Sequence, residues 1–217
     1  YYQYFLRGTR TTILVALVTV FCGALLGCAI ALMRLSKIKV LNWFSRLYIT
    51  VIRGTPMLVQ LYIVYFQLDF IKYPSGSIFG VNLERAIPCI IALSMNSAAY
   101  IAEIIRAGIQ AVDAGQREAS LSLGMTERAI MTKVIFPQAI KNILPALGNE
   151  VIVMIKQTSL ASVFFFGELM TAYKQVQSTT FLALEPLTIS GLIYLFLTVT
   201  LSRITRHFEK RMKQNER

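Results

Sequence analysis

The most constraining feature of this sequence is a stretch from Thr11 to Met33 that contains no charged residue. At about 1.5 Å per residue, a helix of this length crosses the roughly 30 Å hydrocarbon core of a bilayer. Only 15% of the 217 residues are charged, and the mean hydropathy is +0.58. Because about a quarter of the residues of a soluble domain are charged, we predict a membrane protein rather than a water-soluble globule.

Four further apolar segments lead to the same conclusion, so we predict an all-α membrane protein with five transmembrane helices in a single domain. The predicted spans are residues 11–33, 49–71, 85–108, 146–167 and 187–206, and a charged cytoplasmic loop covers residues 109–145. The second span must begin before Pro56 and bend there, with Arg53 near its first turns. Residues 58–70 alone would give a helix of only about 20 Å.

Small residues recur every four positions in the first span, at Thr19, Gly23, Gly27 and Ala31. Such a ridge lets another helix backbone approach closely. It predicts a close packing face, which lies either inside the fold or between two subunits.

Lysine and arginine are distributed unevenly along the chain, which has a formal net charge of +11. That charge is typical of a nucleic-acid-binding protein or of a membrane protein whose cations lie on one side. Most of the cations follow spans one, three and five: Arg34, Lys37, Lys39, Arg46, Arg53, Arg106, Arg117, Arg128, Lys133, Lys141, Arg203, Arg206, Lys210, Arg211, Lys213 and Arg217. Because cytoplasmic segments carry the excess of positive charge, we predict an external N-terminus and a cytoplasmic C-terminus. The cations lie at helix ends rather than along a groove with interleaved aromatics, so no nucleic-acid partner is expected.

Catalytic and metal-binding signals are absent from the sequence. The three cysteines, Cys22, Cys28 and Cys89, lie in apolar runs without a C-x-x-C pair, so neither a zinc site nor a disulfide framework is expected. The phosphate-binding loop, H-E-x-x-H and G-x-S-x-G motifs do not occur. We therefore expect no metal and no cofactor bound by this chain.

The loop between spans three and four is predicted to contain two short helices. Asp113 can cap one that ends at Gly124, and Thr126 can cap a second that runs to Phe136, before Pro137. Two such helices at the membrane surface would form a rigid lever for a partner to push. The alternative is a loop folded against its own protein.

This loop also carries a family resemblance. The run Glu118-Ala119-Ser120, then Gly124, then Val134-Ile135-Phe136-Pro137 resembles the EAA loop of ABC importer permeases, E-A-A-x3-G-x9-I-x-L-P. Ser120, Val134 and Phe136 depart from that pattern by mild changes. Further runs resemble the polar amino acid subfamily: Arg53-Gly54-Thr55-Pro56, Asn96-Ser97-Ala98-Ala99-Tyr100 with Glu103 and Arg106, and Leu144-Pro145-Ala146-Leu147-Gly148-Asn149.

The resemblance implies the type I ABC importer permease fold and a subunit that moves a polar amino acid into the cytoplasm. It implies two separate ATPase subunits that bind ATP and Mg, a second permease that is identical or homologous, and an external solute-binding protein. The location would be a bacterial cytoplasmic membrane, and the chain itself would not be an enzyme. By analogy, the helix that docks on the ATPase would include Glu118, Ala119, Gly124 and Met125.

Polar residues at mid-depth in a membrane are costly and are therefore candidates for function. The candidates inside the predicted spans are Asn96, Lys156, Gln157, Thr158 and Ser159. Alternatively, serine and threonine hydroxyls bond back to their own helix. In the resembling family, positions matching Gln157 and Glu168 line the substrate site. On an unbroken helix these two would be about 16 Å apart, so both face one ligand only if the chain turns back within residues 161–167.

The chemistry of these two side chains suits a polar amino acid. A carboxylate can hold an ammonium group, and an amide offers two donors and an acceptor. Basic, glutamine-like and cystine substrates stay open. Two other hypotheses are a membrane-embedded enzyme, which would need paired acids or a nucleophile and base inside the spans, and a helical scaffold without transport, which leaves the mid-depth polar residues unexplained.

Overall fold

The computed structural model describes residues 1–68, 70–78 and 81–214. Its α-helices are α1 (Tyr2–Leu35), α2 (Lys39–Gly54), α3 (Met57–Gln67), α4 (Leu83–Gln110), α5 (Ala114–Ser122), α6 (Glu127–Ile130), α7 (Phe136–Gln157), α8 (Leu169–Thr180) and α9 (Leu184–Gln214). A π-helical turn, Met131–Ile135, precedes α7, and a 3-10 helix, Thr158–Phe164, follows it. Two-residue strands, β1 (Ser77–Ile78) and β2 (Val81–Asn82), pair antiparallel. The predicted all-α class is confirmed, with this short ladder as an addition.

The helices that could cross a membrane number three to five, a range that includes the predicted five. Within the described residues, α1, α4 and the segment Leu184–Met212 are long and apolar enough to span, and the number rises to five if each of two bent helix pairs forms one span. The second predicted span contains Asp69, and the count of cytoplasmic cations contains Arg217. Both residues lie outside the described part of the chain.

The second predicted span falls on two separate helices, α2 and α3, rather than on one bent helix. The direction of the chain changes by 110° between them. The break falls at Thr55 and Pro56, where Thr55 is extended because the residue before a proline avoids the helical region. The expectation that Arg53 lies near the first turns of this span is wrong, because Arg53 lies in the last turn of α2, which begins at Lys39. The predicted span left out residues 39–48 because they do not form a uniformly apolar run. In α2 the polar residues lie on one face of the helix and the apolar residues on the other.

Helix α4 lies at the centre of the bundle, with α1, α2, α3 and α7 packed against it. The ridge of small residues on α1 makes the first of these contacts. A Cβ atom added at Gly23 would lie 2.8 Å from Cβ of Ser97, and one added at Gly27 would lie 2.9 Å from the carbonyl oxygen of Ala98. Of the two alternatives for this ridge, the structure therefore shows packing inside the fold.

The second helix of the cytoplasmic loop continues further than expected. Its predicted end at Phe136 is wrong, because α6, the π-helical turn, α7 and the 3-10 helix follow one continuous course from Glu127 to Phe164, called here the long helix. In the π-helical turn the N–H of Phe136 donates to the carbonyl oxygen of Met131. Pro137, which has no N–H to donate, follows directly after this turn as the second residue of α7. The boundary of the loop at residue 145 likewise falls inside α7.

The chain bends after the 3-10 helix and enters α8. Phe165 and Gly167 have φ angles of 52° and 101°, in the left-handed region. The change of direction between the long helix and α8 is 45°, so the chain bends here rather than reversing.

Candidate functional site

Glu168, a predicted substrate residue, lies inside the bundle with none of its surface exposed. It is the N-cap of α8. Its Oε2 atom accepts from the Met170 N–H at 2.7 Å, and its Oε1 atom accepts from the Thr171 N–H at 2.6 Å and the Thr171 hydroxyl at 2.8 Å. The Tyr194 hydroxyl donates to Oε2 at 3.3 Å. In this conformation the carboxylate is occupied in anchoring the start of α8.

Two threonines join Glu168 in a buried polar cluster. The Tyr194 hydroxyl also interacts with the hydroxyls of Thr12 and Thr158. The Thr12 hydroxyl accepts from the Leu169 N–H at 3.1 Å. This arrangement, called here the Glu168 cluster, connects α1, the 3-10 helix, α8 and α9. Thr158 and Glu168 were predicted from the sequence. Thr12 and Tyr194 were not, because they lie in otherwise apolar spans and share no motif with the other two.

Gln157 and Ser159 flank Thr158 but lie outside this cluster. The Ser159 hydroxyl donates to the Lys156 carbonyl at 2.5 Å, and the Thr158 hydroxyl donates to the Ile155 carbonyl at 2.7 Å. Both hydroxyls therefore bond back to their own helix, as the alternative interpretation stated. Gln157 is half-buried, and its Oε1 atom is buried without a hydrogen-bond partner among the described residues. Gln157 is therefore one of two candidates with an unused acceptor, and the other is Asn96, whose buried Oδ1 atom also has no hydrogen-bond partner among the described residues.

Asn96 belongs to a different site, at the junction of α2 and α3. Its Nδ2 atom donates to Oε1 of Gln60 at 2.9 Å. The Nε2 atom of Gln60 in turn donates to the Ile52 carbonyl at 2.6 Å and to the carbonyl and hydroxyl of Thr55, at 3.1 and 2.8 Å. These bonds satisfy carbonyls that the helix break leaves without partners. Gln60 was not among the predicted site residues, although its position one turn after the predicted break at Pro56 was a usable signal.

A second buried carboxylate lies between α4 and α7. Glu150 is 4% exposed and accepts from the Ser97 hydroxyl at 2.9 Å. Glu150 lies inside the fourth predicted span, residues 146–167, and no role was predicted for it. An acid inside a predicted span was the signal that could have identified it.

The predicted docking helix, α5, projects from the fold. Both predicted caps are present, since Asp113 accepts from the Gly115 N–H at 2.8 Å and Thr126 accepts from the Ala129 N–H at 3.3 Å. Glu118 and Ala119 are exposed. Gly124 ends this segment with a φ of 75° and has no described atom within 4 Å of where a Cβ would lie.

Met125, the remaining predicted coupling residue, is half-buried where the chain turns back towards α6. Its N–H donates to the carbonyl of Ser120 at 3.1 Å. An ion pair between Arg117 and Glu127 joins α5 to the first turn of the long helix. The exposed helix α5 is therefore connected to the same long helix that carries Gln157 and Ser159 near its other end.

Comparison with known proteins gives consistent similarities. Residues 23–214 match the family described as binding-protein-dependent transport system inner membrane component. The chain is 38% identical over 213 residues to the arginine transport system permease protein ArtQ of Bacillus subtilis (strain 168), covering 98% of this chain and 94% of that protein. It is 35% identical over 209 residues to the putative glutamine transport system permease protein GlnP of Rickettsia bellii (strain RML369-C), covering 96% and 93%. Among solved structures, the crystal structure of an amino acid ABC transporter with histidines superposes with a TM-score of 0.90 at 46% identity, covering 97% of this chain and 95% of that one.

Proposed function

Because this chain belongs to the family of binding-protein-dependent transport system inner membrane components, as a permease subunit of an amino acid ABC importer, we propose that it carries a polar amino acid from outside the cell into the cytoplasm. The fold is that of type I ABC importer permeases. The chain is an inner-membrane protein with several membrane-spanning helices, and the family implies ATPase and permease partners.

The finer assembly is part of the proposal. Two ATPase subunits would bind ATP and Mg, and this chain would take no catalytic part. A second permease, identical or homologous, would complete the pathway, and an external solute-binding protein would deliver the substrate. We place the chain in a bacterial cytoplasmic membrane, as its relatives suggest. The excess of lysine and arginine after spans one, three and five supports an external N-terminus and a cytoplasmic C-terminus.

The observation that carries the proposal is the continuity between the exposed helix α5 and Gln157. Closure of the ATPase subunits would displace Glu118, Ala119, Gly124 and Met125. The pair Arg117–Glu127 passes that displacement to the long helix. At the far end, the Glu168 cluster anchors α8 to α1 and α9. The 3-10 helix and the bend after it lie between the long helix and the anchored α8, so these two segments would change conformation when the long helix moves.

Gln157 is the proposed direct substrate ligand. Its buried, unpartnered Oε1 atom can accept a hydrogen bond from an ammonium, guanidinium or amide group of the substrate. Arginine and glutamine, named for two relatives, and histidine, named for the similar transporter structure, are the first substrates to test. Asn96, Thr158, Ser159 and Glu168 stay predicted contributors to the site.

The test is transport in proteoliposomes that contain the permease with its ATPase subunits and solute-binding protein. We expect Gln157→Ala to raise the substrate concentration for half-maximal uptake by about tenfold or more, since a hydrogen bond to a charged group contributes about 1.5–3 kcal/mol. Gln175→Ala, an exposed glutamine on α8, is the matched control and should behave as wild type.

Two results would contradict the proposal at different levels. Unchanged uptake and unchanged substrate-stimulated ATP hydrolysis in Gln157→Ala would remove Gln157 from the site while leaving the importer role intact. Failure of any ATPase subunit to co-purify with the tagged chain would contradict the proposed assembly.

A further inference from the structure

A basic pocket lies where α1 ends and α2 begins, far along the chain from the proposed substrate residues. Its volume is about 450 Å3, and its lining residues are Ser36, Lys37, Lys39, Asn42, Trp43 and Arg46. The lining contains three cations and no acid. None of the three cations forms an ion pair within the described residues.

The positive charge in and around this pocket is only partly compensated by its surroundings. Arg34, in the last turn of α1, lies close enough to Arg46 for the two cations to repel each other. Glu103 interacts with Arg34 but is already paired with Arg106. An anionic ligand would relieve this repulsion.

The wall of the pocket is ordered before any ligand binds. Nδ2 of Asn42 donates to the Arg34 carbonyl at 2.5 Å, and Nε of Arg46 donates to Oδ1 of Asn42 at 2.7 Å. These bonds hold the guanidinium of Arg46, and its terminal N–H groups have no hydrogen-bond partner in the part of the chain that the structure describes. Ser36 accepts from the Ile38 N–H at 3.1 Å, so its own hydroxyl proton is also available.

The depth of the pocket matches that of lipid headgroups. The charge-free part of α1 ends at Met33, and the pocket begins three residues later. Beside the pocket, α2 exposes a large apolar surface made of Val40, Trp43, Phe44 and Leu47. A tryptophan and neighbouring apolar side chains next to lysine and arginine are typical of the bilayer interface, where acyl chains and headgroups meet.

We propose that this pocket binds the phosphate-bearing headgroup of an anionic phospholipid, with the acyl chains lying along α1 and the apolar face of α2. The apolar surface beside the pocket favours a lipid over free phosphate or an acidic protein segment. The proposal does not depend on the substrate or on the orientation of the chain in the membrane.

Trp43 makes the proposal directly measurable, because it is the only tryptophan in the sequence. The assembled transporter is reconstituted in bilayers that contain brominated phosphatidylglycerol or brominated phosphatidylcholine. Bromine quenches nearby tryptophan, and subtraction of the fluorescence of Trp43→Phe removes the signal of the partner subunits. We expect phosphatidylglycerol to quench Trp43 selectively.

The charge variant Lys39→Gln/Arg46→Gln should lose about 25-fold in selectivity, since each cation near an anionic surface contributes about fivefold. Lys37→Gln/Lys39→Gln leaves the bond between Arg46 and Asn42 intact and should show a similar loss. Arg206→Gln/Lys210→Gln removes the same charge from exposed positions near the C-terminal end of α9, and should retain full selectivity.

Three results would overturn the proposal. Equal quenching by both lipids would show that the pocket does not recognise an anionic headgroup. Loss of selectivity with inorganic phosphate, but not with chloride at equal ionic strength, would assign the pocket to free phosphate. Absence of quenching by either lipid would show that a protein partner covers Trp43.

Discussion

Replacement of Glu168 by alanine gives the sharpest test of how the predicted substrate region is built. The carboxylate accepts from the N–H groups of Met170 and Thr171 and from the hydroxyls of Thr171 and Tyr194. The hydroxyls can rotate towards other acceptors, but the two amides cannot. A buried donor without a partner costs about 1–3 kcal/mol, so we expect a loss of about 2–6 kcal/mol in the free energy of unfolding.

The conservative variant separates capping from other roles of Glu168. Aspartate is one of the best N-cap residues, so Glu168→Asp should lie within about 2 kcal/mol of wild type while losing the contact with Tyr194. Gln157→Ala is the contrasting control. Its Oε1 atom has no described partner, so its removal should lower transport without lowering stability.

The measurements are thermal unfolding of the detergent-solubilised complex and hydrogen exchange of the Met170 and Thr171 amides. In Glu168→Ala we expect these two amides to exchange at least tenfold faster, since the first turn of α8 opens more easily. An unchanged melting temperature together with unchanged exchange would refute the assignment of Glu168 as the anchor of α8. A defect in Glu168→Asp as large as in Glu168→Ala would show that capping is not its main contribution.

Three further substitutions test the end of the segment after α5, the contact between α1 and α4, and the junction between α2 and α3. Gly124→Ala forces a left-handed φ of 75° on alanine, which costs about 1–2 kcal/mol, and we expect it to reduce substrate-stimulated ATP hydrolysis. Gly191→Ala, in an open position on α9, is the control and should leave ATP hydrolysis unchanged. Equal ATP hydrolysis in the two variants would contradict this prediction. Gly27→Ala places a Cβ atom 2.9 Å from the carbonyl oxygen of Ala98 and should lower the free energy of unfolding by about 1–3 kcal/mol. Thermal unfolding measures this effect, and an unchanged melting temperature would argue against the close contact. Gln60→Leu removes the hydrogen bonds that connect α2 to α3 and should lower the free energy of unfolding by about 2–4 kcal/mol. Hydrogen exchange of the α3 amides is the local measurement, and we expect it to be faster in the variant. Exchange at the wild-type rate would show that other contacts stabilise the junction.

The N-caps of α5 and α6 and the end of α5 were predictable because they depend on the chemistry of neighbouring residues. Asp113, Thr126 and Gly124 occupy the positions that the sequence assigned to them. The end of the second helix was not predictable in the same way. Pro137 reads as a stop in the sequence, yet a π-helical turn before it lets the helix continue.

The candidate polar residues show the same division. Their presence in apolar segments is visible in the sequence, but their partners are not. Thr158 and Glu168 meet through Tyr194, a residue far along the chain, whereas Asn96 bonds to Gln60 at a different junction. A sequence motif could not sort these residues into separate clusters, because membership depends on which helices pack together.

The sequence by itself determined that this chain is a helical membrane protein whose charged loop contains a capped helix. Apolar run length and local capping depend only on neighbouring residues, and the cation distribution predicts a sidedness on the same basis. The tertiary structure decided that Glu168 is a buried cap, that Gln157 keeps an unused acceptor, and that α2 meets α3 at 110°. The physical reason is that a buried polar group must find its partner wherever packing places one, and packing brings together residues that are distant in the chain.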